Sequence, residues 1–288
     1  MPEHPINPAS LVDIARYPLD NPQDDRYRKT LSLIRARLEQ DGCAVIPGFL
    51  SSLGLSRLLG EAQERRGLAY FSANKKTNVY FSSDDASLAE DHPRRIFLER
   101  TNGFITSDCY DESSASRTLY HWPALMSFIQ DCLGKDQLHI YDDPVSNMIV
   151  NVLTPDSQFN WHFDTNEFTI TMLLKSAASG GHFEYAPNLR NAEDECYEDV
   201  RAVLSGDARQ VTRLKLTPGD LQLFLGRFSL HRVTKNTGSS DRLLLIMSFA
   251  EKPGMIGSVE RTRELYGKVT DAHLEAQAQR VRADSLMD

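Results

Sequence analysis

The chain is poor in cysteine, and positive charge is not in surplus. Its 288 residues include 4 cysteines, Cys43, Cys109, Cys132 and Cys196, widely spaced and forming no CxxC pair. That spacing argues against a disulfide framework or a zinc ribbon and fits free thiols in a reducing cytosol. Acids outnumber bases 40 to 32, for a formal charge of −8. Such a surface repels nucleic acid and anionic membrane, so neither is an expected partner. A small anionic ligand remains compatible, because it responds to the local field. No run approaches the roughly 18 apolar residues of a membrane span. The opening Met1-Pro-Glu-His lacks the basic and apolar regions of a signal peptide, so a cytoplasmic location is expected. No internal repeat or low-complexity tract is visible.

What is present is an ordinary globular mixture, 41% hydrophobic and 25% charged, of a length that suits one domain or two. A first helix is expected from Asp24-Asp25, with Tyr27, Leu31, Ile34 and Leu38 on one stripe and Asp41-Gly42 as its stop. Cys43-Ala-Val-Ile reads as a buried strand, and Ser51 or Ser52 as the cap of a helix reaching about Arg66. Residues 82–117 are polar and read as a loop, either a lid or a surface excursion. A helix is expected from Pro123 to Leu133. Short β-rich runs follow at 145–153, 167–174, 182–186, 211–216, 220–225 and 242–249, parted by turn residues. They suggest an antiparallel sandwich or jelly roll. A helical insertion is expected near 192–204, and helix again from Ser258 to a charged, frayed end.

Trp161-His162-Phe163-Asp164 carries the chemistry. Side chains two apart on a strand share a face, so His162 and Asp164 point together and Phe163 points away. Each can donate to one metal ion, and His231, after the strand-like Leu221-Gln-Leu-Phe-Leu, is the natural third ligand. Two imidazoles and one carboxylate form the facial triad of non-heme Fe(II) oxygenases, with three positions left open. Arg242 begins a strand that is apolar on both faces, so it requires an anionic partner. A ligand carboxylate would satisfy it by a bidentate fork, as would one of the protein's own acids.

From Val150 to Phe249 the chain resembles Fe(II)/2-oxoglutarate-dependent dioxygenases. The matching pieces are His162-Phe-Asp164-Thr-Asn-Glu-Phe, Gly180-Gly-His-Phe-Glu-Tyr, Pro218-Gly-Asp-Leu-Gln-Leu-Phe, His231-Arg-Val-Thr and Arg242. Their wording is nearest to the bacterial free-amino-acid hydroxylases and their halogenase relatives. The resemblance implies a double-stranded β-helix, cupin-like core. It implies that His162, Asp164 and His231 hold Fe(II), and that Arg242 binds the distal carboxylate of 2-oxoglutarate. Decarboxylation of that co-substrate with O2 would yield succinate and CO2 while a substrate C–H bond is oxidised. Halogenase relatives replace the carboxylate ligand with a small residue to admit chloride, so Asp164 points to hydroxylation. Some relatives also place a serine two residues after the arginine. Leu244 stands there instead, and Thr171 is the substitute considered, against a plain β-strand role.

For the substrate, the resemblance suggests Arg100 as a grip on an amino-acid carboxylate, the alternative being a solvated charge beside Arg94 and Arg95. Asn151, Phe159, Trp161 and Glu167 flank the motif. They are candidates to line the pocket, core packing being the favoured reading for Phe159 and Trp161, and Glu167 meets a substrate ammonium or faces water. Arg232 and His182 read as structural, and His4, His92, His121, His139 and His273 carry no partner pattern. The expected layout is one dioxygenase domain over 1–288. Its parts are a helical section 1–142 with the polar segment 82–117, a jelly-roll core 143–250 and a helical tail 251–288. The leading reading is hydroxylation of a small molecule, an amino acid or similar. Desaturation or oxidative cyclisation at the same iron, a silent jelly-roll binder of a metal or small acid, and a protein hydroxylase are the alternatives. The oligomeric state, a homodimer included, stays open.

Overall fold

A computed structural model describes residues 6–277 and 286–287. His4, the first residues and most of the charged C-terminal end lie outside that range. Two antiparallel sheets dominate the described residues. The larger is built from β1 (Cys43–Ile46), β2 (Tyr70–Phe71), β3 (Gly103–Ile105), β4 (Met148–Leu153), β6 (Thr169–Lys175), β9 (Leu221–Phe224) and β11 (Arg242–Met247). The smaller is built from β5 (Phe159–His162), β7 (Phe183–Ala186), β8 (Thr212–Leu214) and β10 (Leu230–Val233). Spatial order is β1-β9-β6-β11-β4-β3-β2 in the first sheet and β8-β7-β10-β5 in the second. Neighbours are far apart in sequence, the wound connectivity of a double-stranded β-helix.

Alternation sorts each strand between two environments. Leu243, Leu245 and Met247 of β11, with Met148, Val150 and Val152 of β4, join a cluster on the outer face of the large sheet. Helices α1 (Asp25–Asp41), α2 (Ser52–Glu64), α3 (Ala115–Tyr120) and α4 (Pro123–Leu133) add Ile34, Leu58, Leu119 and Phe128 to it. Between the sheets lie Phe104, Ile149, Leu153, Phe159, Phe183, Tyr185, Phe224 and Val233. Outside the small sheet, Trp161, Phe163 and Leu230 pack against Val200 and Val203 of α5 (Tyr197–Leu204). The chain then forms α6 (Val259–Tyr266) and α7 (Asp271–Ala276).

Local chemistry explains most boundaries. The Asp24 carboxylate caps α1 by accepting from the Arg26 amide, and Gly42 closes it in the left-handed conformation. Ser51 caps α2 in the same way. The polar segment is a different matter. Only its first part, to about residue 97, is largely irregular; β3 inside it is fully buried in the large sheet. Ser114, read from sequence as loop, caps α3 by accepting from the Arg117 amide. Polarity there marks helix caps and turns rather than one long loop. β5 and β10 are absent from the β-rich runs read by composition, because His162, His231 and Arg232 break their apolar texture; around His162 only the ligand spacing pointed to a strand.

Candidate metal centre

Three side chains converge where β5 meets β10. His162 and His231 are register partners across these strands. Asp164 follows β5 in the loop beyond, its amide donating to the Gly226 carbonyl at 3.1 Å. One donor atom from each of the three lies within 4.8 Å of the others. The alternation argument therefore holds for direction, although Asp164 is not itself on the strand. The register shifts between Phe159 and His162, and this bulge turns both side chains inward. Phe159 consequently lies parallel to the His162 ring, with centroids 3.7 Å apart.

Backbone carbonyls set the tautomers. His162 Nδ1 lies 2.7 Å from the Asn160 carbonyl, and His231 Nδ1 lies 3.0 Å from that of Ser229. A carbonyl only accepts, so each Nδ1 carries the proton and each Nε2 offers its lone pair to the centre. Burial, reinforced by the neighbouring His231 imidazole, holds His162 well below the usual histidine range. It therefore stays neutral, as a ligand must. Burial alone would favour a neutral Asp164. The charge that a protonated His231 ring places beside it, and the Thr169 hydroxyl, donating to Oδ2 at 2.7 Å, outweigh that and hold the carboxyl well below its ordinary value. Gly226 completes the setting: a Cβ there would fall 2.0 Å from Asp164 Oδ2. Two lone-pair imidazoles and an ionised carboxylate, with no fourth protein donor among the described residues, fit a divalent ion with open positions.

Arg242 faces the same interior. Its register partner is Leu153, which belongs to the cluster holding Phe159 and Phe183. Arg242 is 3% exposed, and its Nη1 is buried with no hydrogen-bond partner among the described residues. Burial pushes its pKa down to about 10, which still leaves it charged at neutral pH. An uncompensated guanidinium at this depth is costly, so its setting suits the carboxylate of a bound ligand. Gly181 makes room for it: a Cβ there would lie 3.2 Å from Arg242 Cδ.

Other sequence candidates are placed differently. Thr171 is opposite Ile246, about 13 Å of strand from Arg242, and donates to Gln222 at 3.0 Å. The register does not bring Thr171 to Arg242. Leu244 faces inward beside Asn151, whose Oδ1 accepts from Asn102 at 3.5 Å. Arg100 is fully buried, not solvated, and pairs with Glu264 at 3.2 Å. Glu167 turns to Lys135, 2.7 Å away, and lines a separate groove. Trp161 packs outside the small sheet beneath Arg232, and Arg232 pairs with Glu184. His182 is exposed rather than packed.

The triad opens into a cleft lined by His162, Asp164, Phe159, Ser146 and Ser248, and by Arg261, Thr262, Leu265 and Tyr266 of α6. Those α6 positions share one helix face. Phe81 stands at the edge, its ring centroid 6.1 Å from that of His162. Sequence reasoning placed a helix after Ser258 but not its position beside the cleft, and it missed Phe81, Thr169 and Gly226. Only the glycine left a trace, as the residue ending Leu221-Gln-Leu-Phe-Leu-Gly.

Fold and site together define a double-stranded β-helix protein with a two-histidine, one-carboxylate centre. The chain belongs to the Halogenase D family, whose profile matches residues 99–266. No curated protein sequence matches it. Among solved structures it is similar to the non-heme alpha ketoglutarate dependent epimerase SnoN from nogalamycin biosynthesis. The TM-score is 0.55 at 14% identity, over 85% of this chain and 91% of that one. The alpha ketoglutarate dependent carbocyclase SnoK from nogalamycin biosynthesis gives 0.53 at 14% identity, over 77% and 83%. A 2OG-Fe(II) oxygenase family oxidoreductase from Burkholderia pseudomallei gives 0.50 at 14%, over 77% and 91%. At these identities the likeness establishes the fold.

Proposed function

We propose that this chain is an Fe(II)- and 2-oxoglutarate-dependent oxygenase. Its reaction is hydroxylation of a C–H bond in a free amino acid or similar small molecule, with release of succinate and CO2. One observation carries the reading: two imidazoles and Asp164 converge between the sheets, and the buried Arg242 faces the same layer with its Nη1 unpartnered among the described residues. His162, Asp164 and His231 would hold Fe(II), and Arg242 would take the distal carboxylate of 2-oxoglutarate. The bound iron, co-substrate and O2 supply the oxidising power. The protein's part is positional. Asn160 and Ser229 fix the two imidazoles, Thr169 fixes the carboxylate, and Phe159 and Phe183 keep the interior dry.

Asp164 decides between outcomes within a family named for halogenation. A carboxylate in the third position leaves no vacancy for a halide, so oxygen transfer is the assigned outcome. Epimerisation or ring closure, the reactions named for SnoN and SnoK, is the second reading for the same centre. Phe159 is assigned to the substrate cleft, and Arg100, bridged to it by backbone and paired with Glu264, to holding that wall in place.

The test is succinate release from purified protein supplied with Fe(II), ascorbate, 2-oxoglutarate, O2 and an amino-acid panel, with products read by mass spectrometry. Substrate-dependent succinate is expected, and its absence across the panel removes the amino-acid reading. His162→Ala should abolish turnover. Arg242→Ala should raise the 2-oxoglutarate requirement on the order of tenfold or more, as loss of a charge-assisted fork implies. An unchanged requirement would detach Arg242 from the co-substrate.

A further inference from the structure

We propose that Phe81 is a partition that sets the length of substrate the metal cleft accepts. It walls the cleft off from a second, larger cavity, and so selects short side chains over long apolar ones. The proposal rests on reading the cleft as the oxygenase's substrate site, and it narrows the substrate class for that site.

Phe81 stands between the two spaces. On one side its ring meets residues that line the cleft. The ring centroid of Phe159 is 6.4 Å away and that of His162 6.1 Å, and the Arg261 guanidinium carbon lies over the ring at 4.4 Å. On the other side Phe81 lines a cavity of about 490 Å³, with Tyr70, Phe97 and, from α6, Glu260, Arg263 and Glu264. Those three helix positions lie opposite the face that Thr262, Leu265 and Tyr266 turn to the cleft. The cleft itself offers about 100 Å³, and the two linings share no residue.

The turn that presents Phe81 is held against its own preference. Its φ of +56° is a left-handed conformation that a bulky side chain rarely adopts. Such a residue persists only where its surroundings over-determine it, and such positions cluster at ligand sites. Here the buried Asn78 fixes the turn. Its Oδ1 accepts from the Tyr80 and Ser82 amides at 3.1 and 3.0 Å, and its Nδ2 donates to the Arg94 carbonyl at 2.6 Å. The turn is also tied to the ligand pair. The Phe163 amide donates to the Val79 carbonyl at 3.1 Å, and the Tyr80 ring stacks on that of Phe163. A ring fixed in this way is not free to swing aside, so a chain growing toward it meets a wall. Beyond that wall, Tyr70 and the exposed Phe97 present apolar surface that a longer chain would bury.

The experiment is calorimetric titration of the full chain, alone and with Mn(II) and 2-oxoglutarate. The probes are the linear series L-norvaline, L-norleucine, L-2-aminoheptanoate and L-2-aminooctanoate. For the wild type, affinity should peak within the series and fall on the order of tenfold or more by L-2-aminooctanoate. Phe81→Gly removes the ring and suits the left-handed turn. With it, affinity should keep rising to the longest probe, by roughly fourfold for each further methylene buried. Phe81→Leu should move the limit only part of the way. A merely structural role for Phe81 would weaken every probe together and leave their order unchanged. A uniform loss, the same length dependence in all three proteins, or no binding by any probe overturns the proposal. A length limit relieved by Phe81→Gly in protein that fails to bind Mn(II) and 2-oxoglutarate would sink the oxygenase reading alone.

Discussion

Asp164 sits where the chain has left space for it and for nothing larger. A Cβ on Gly226 would reach 2.0 Å from Oδ2, so Gly226→Ala must push the carboxylate away from the two imidazoles. Metal affinity should fall about ten- to a hundredfold, the usual cost of disturbing a group that orients a ligand. Titration with Mn(II), with circular dichroism confirming an intact fold, checks this; unchanged affinity would show that the loop yields. His162 and Asp164 were legible in the sequence because ligand spacing is a local property. Gly226 was not, because its meaning comes from contact with a residue far away in the chain.

Among the elements, α6 changes meaning most between sequence and structure. By sequence it is a short amphipathic tail helix. In the fold it turns Arg261, Thr262, Leu265 and Tyr266 toward the metal centre, while Glu264 reaches the buried Arg100. That ion pair fastens the helix to the extended segment before β3. Glu264→Gln should therefore cost about 3 kcal/mol of stability, because it leaves Arg100 charged at 1% exposure. The lower end of the range is expected because Glu264 is itself 27% exposed. Urea denaturation measures the loss, and a change below about 0.5 kcal/mol would mean that Arg100 finds another acceptor. Arg100 stood out in the sequence as a carboxylate grip or a solvated charge on the polar segment, but its partner lies on a helix that only folding brings beside it.

At the scale of the whole molecule, a buried carboxylate away from the centre ties the strands of the small sheet together. Glu184, 6% exposed on β7, holds Arg213 and Arg232 from the strands on either side. Burial opposes its ionisation, but these two guanidinium groups prevail and hold the carboxyl below its ordinary 4.5. A depressed carboxyl contributes stability that is complete above about 4.5 and lost as pH falls through the lower folded value. Melting temperatures measured from neutral pH down through the carboxylate range should therefore fall less steeply for Glu184→Gln than for the wild type. Parallel curves would show that the pair contributes nothing.

The sequence by itself determined the α1 stripe, the helix starts at Asp24-Asp25 and at Ser51 or Ser52, the β-rich texture after residue 142 and the shared direction of His162 and Asp164. Each is a matter of spacing between near neighbours, which the chain carries whether folded or not. Tertiary structure alone decided that β5 and β10 lie side by side, so that His231 completes the triad. It also decided that Arg242 Nη1 is left without a partner among the described residues, that Thr171 is kept away from it by strand register, and that α6 lines the cleft. The physical reason is that these relations depend on which strands pair and which charges meet an acid. Both are set by burying the two faces of the β-helix together.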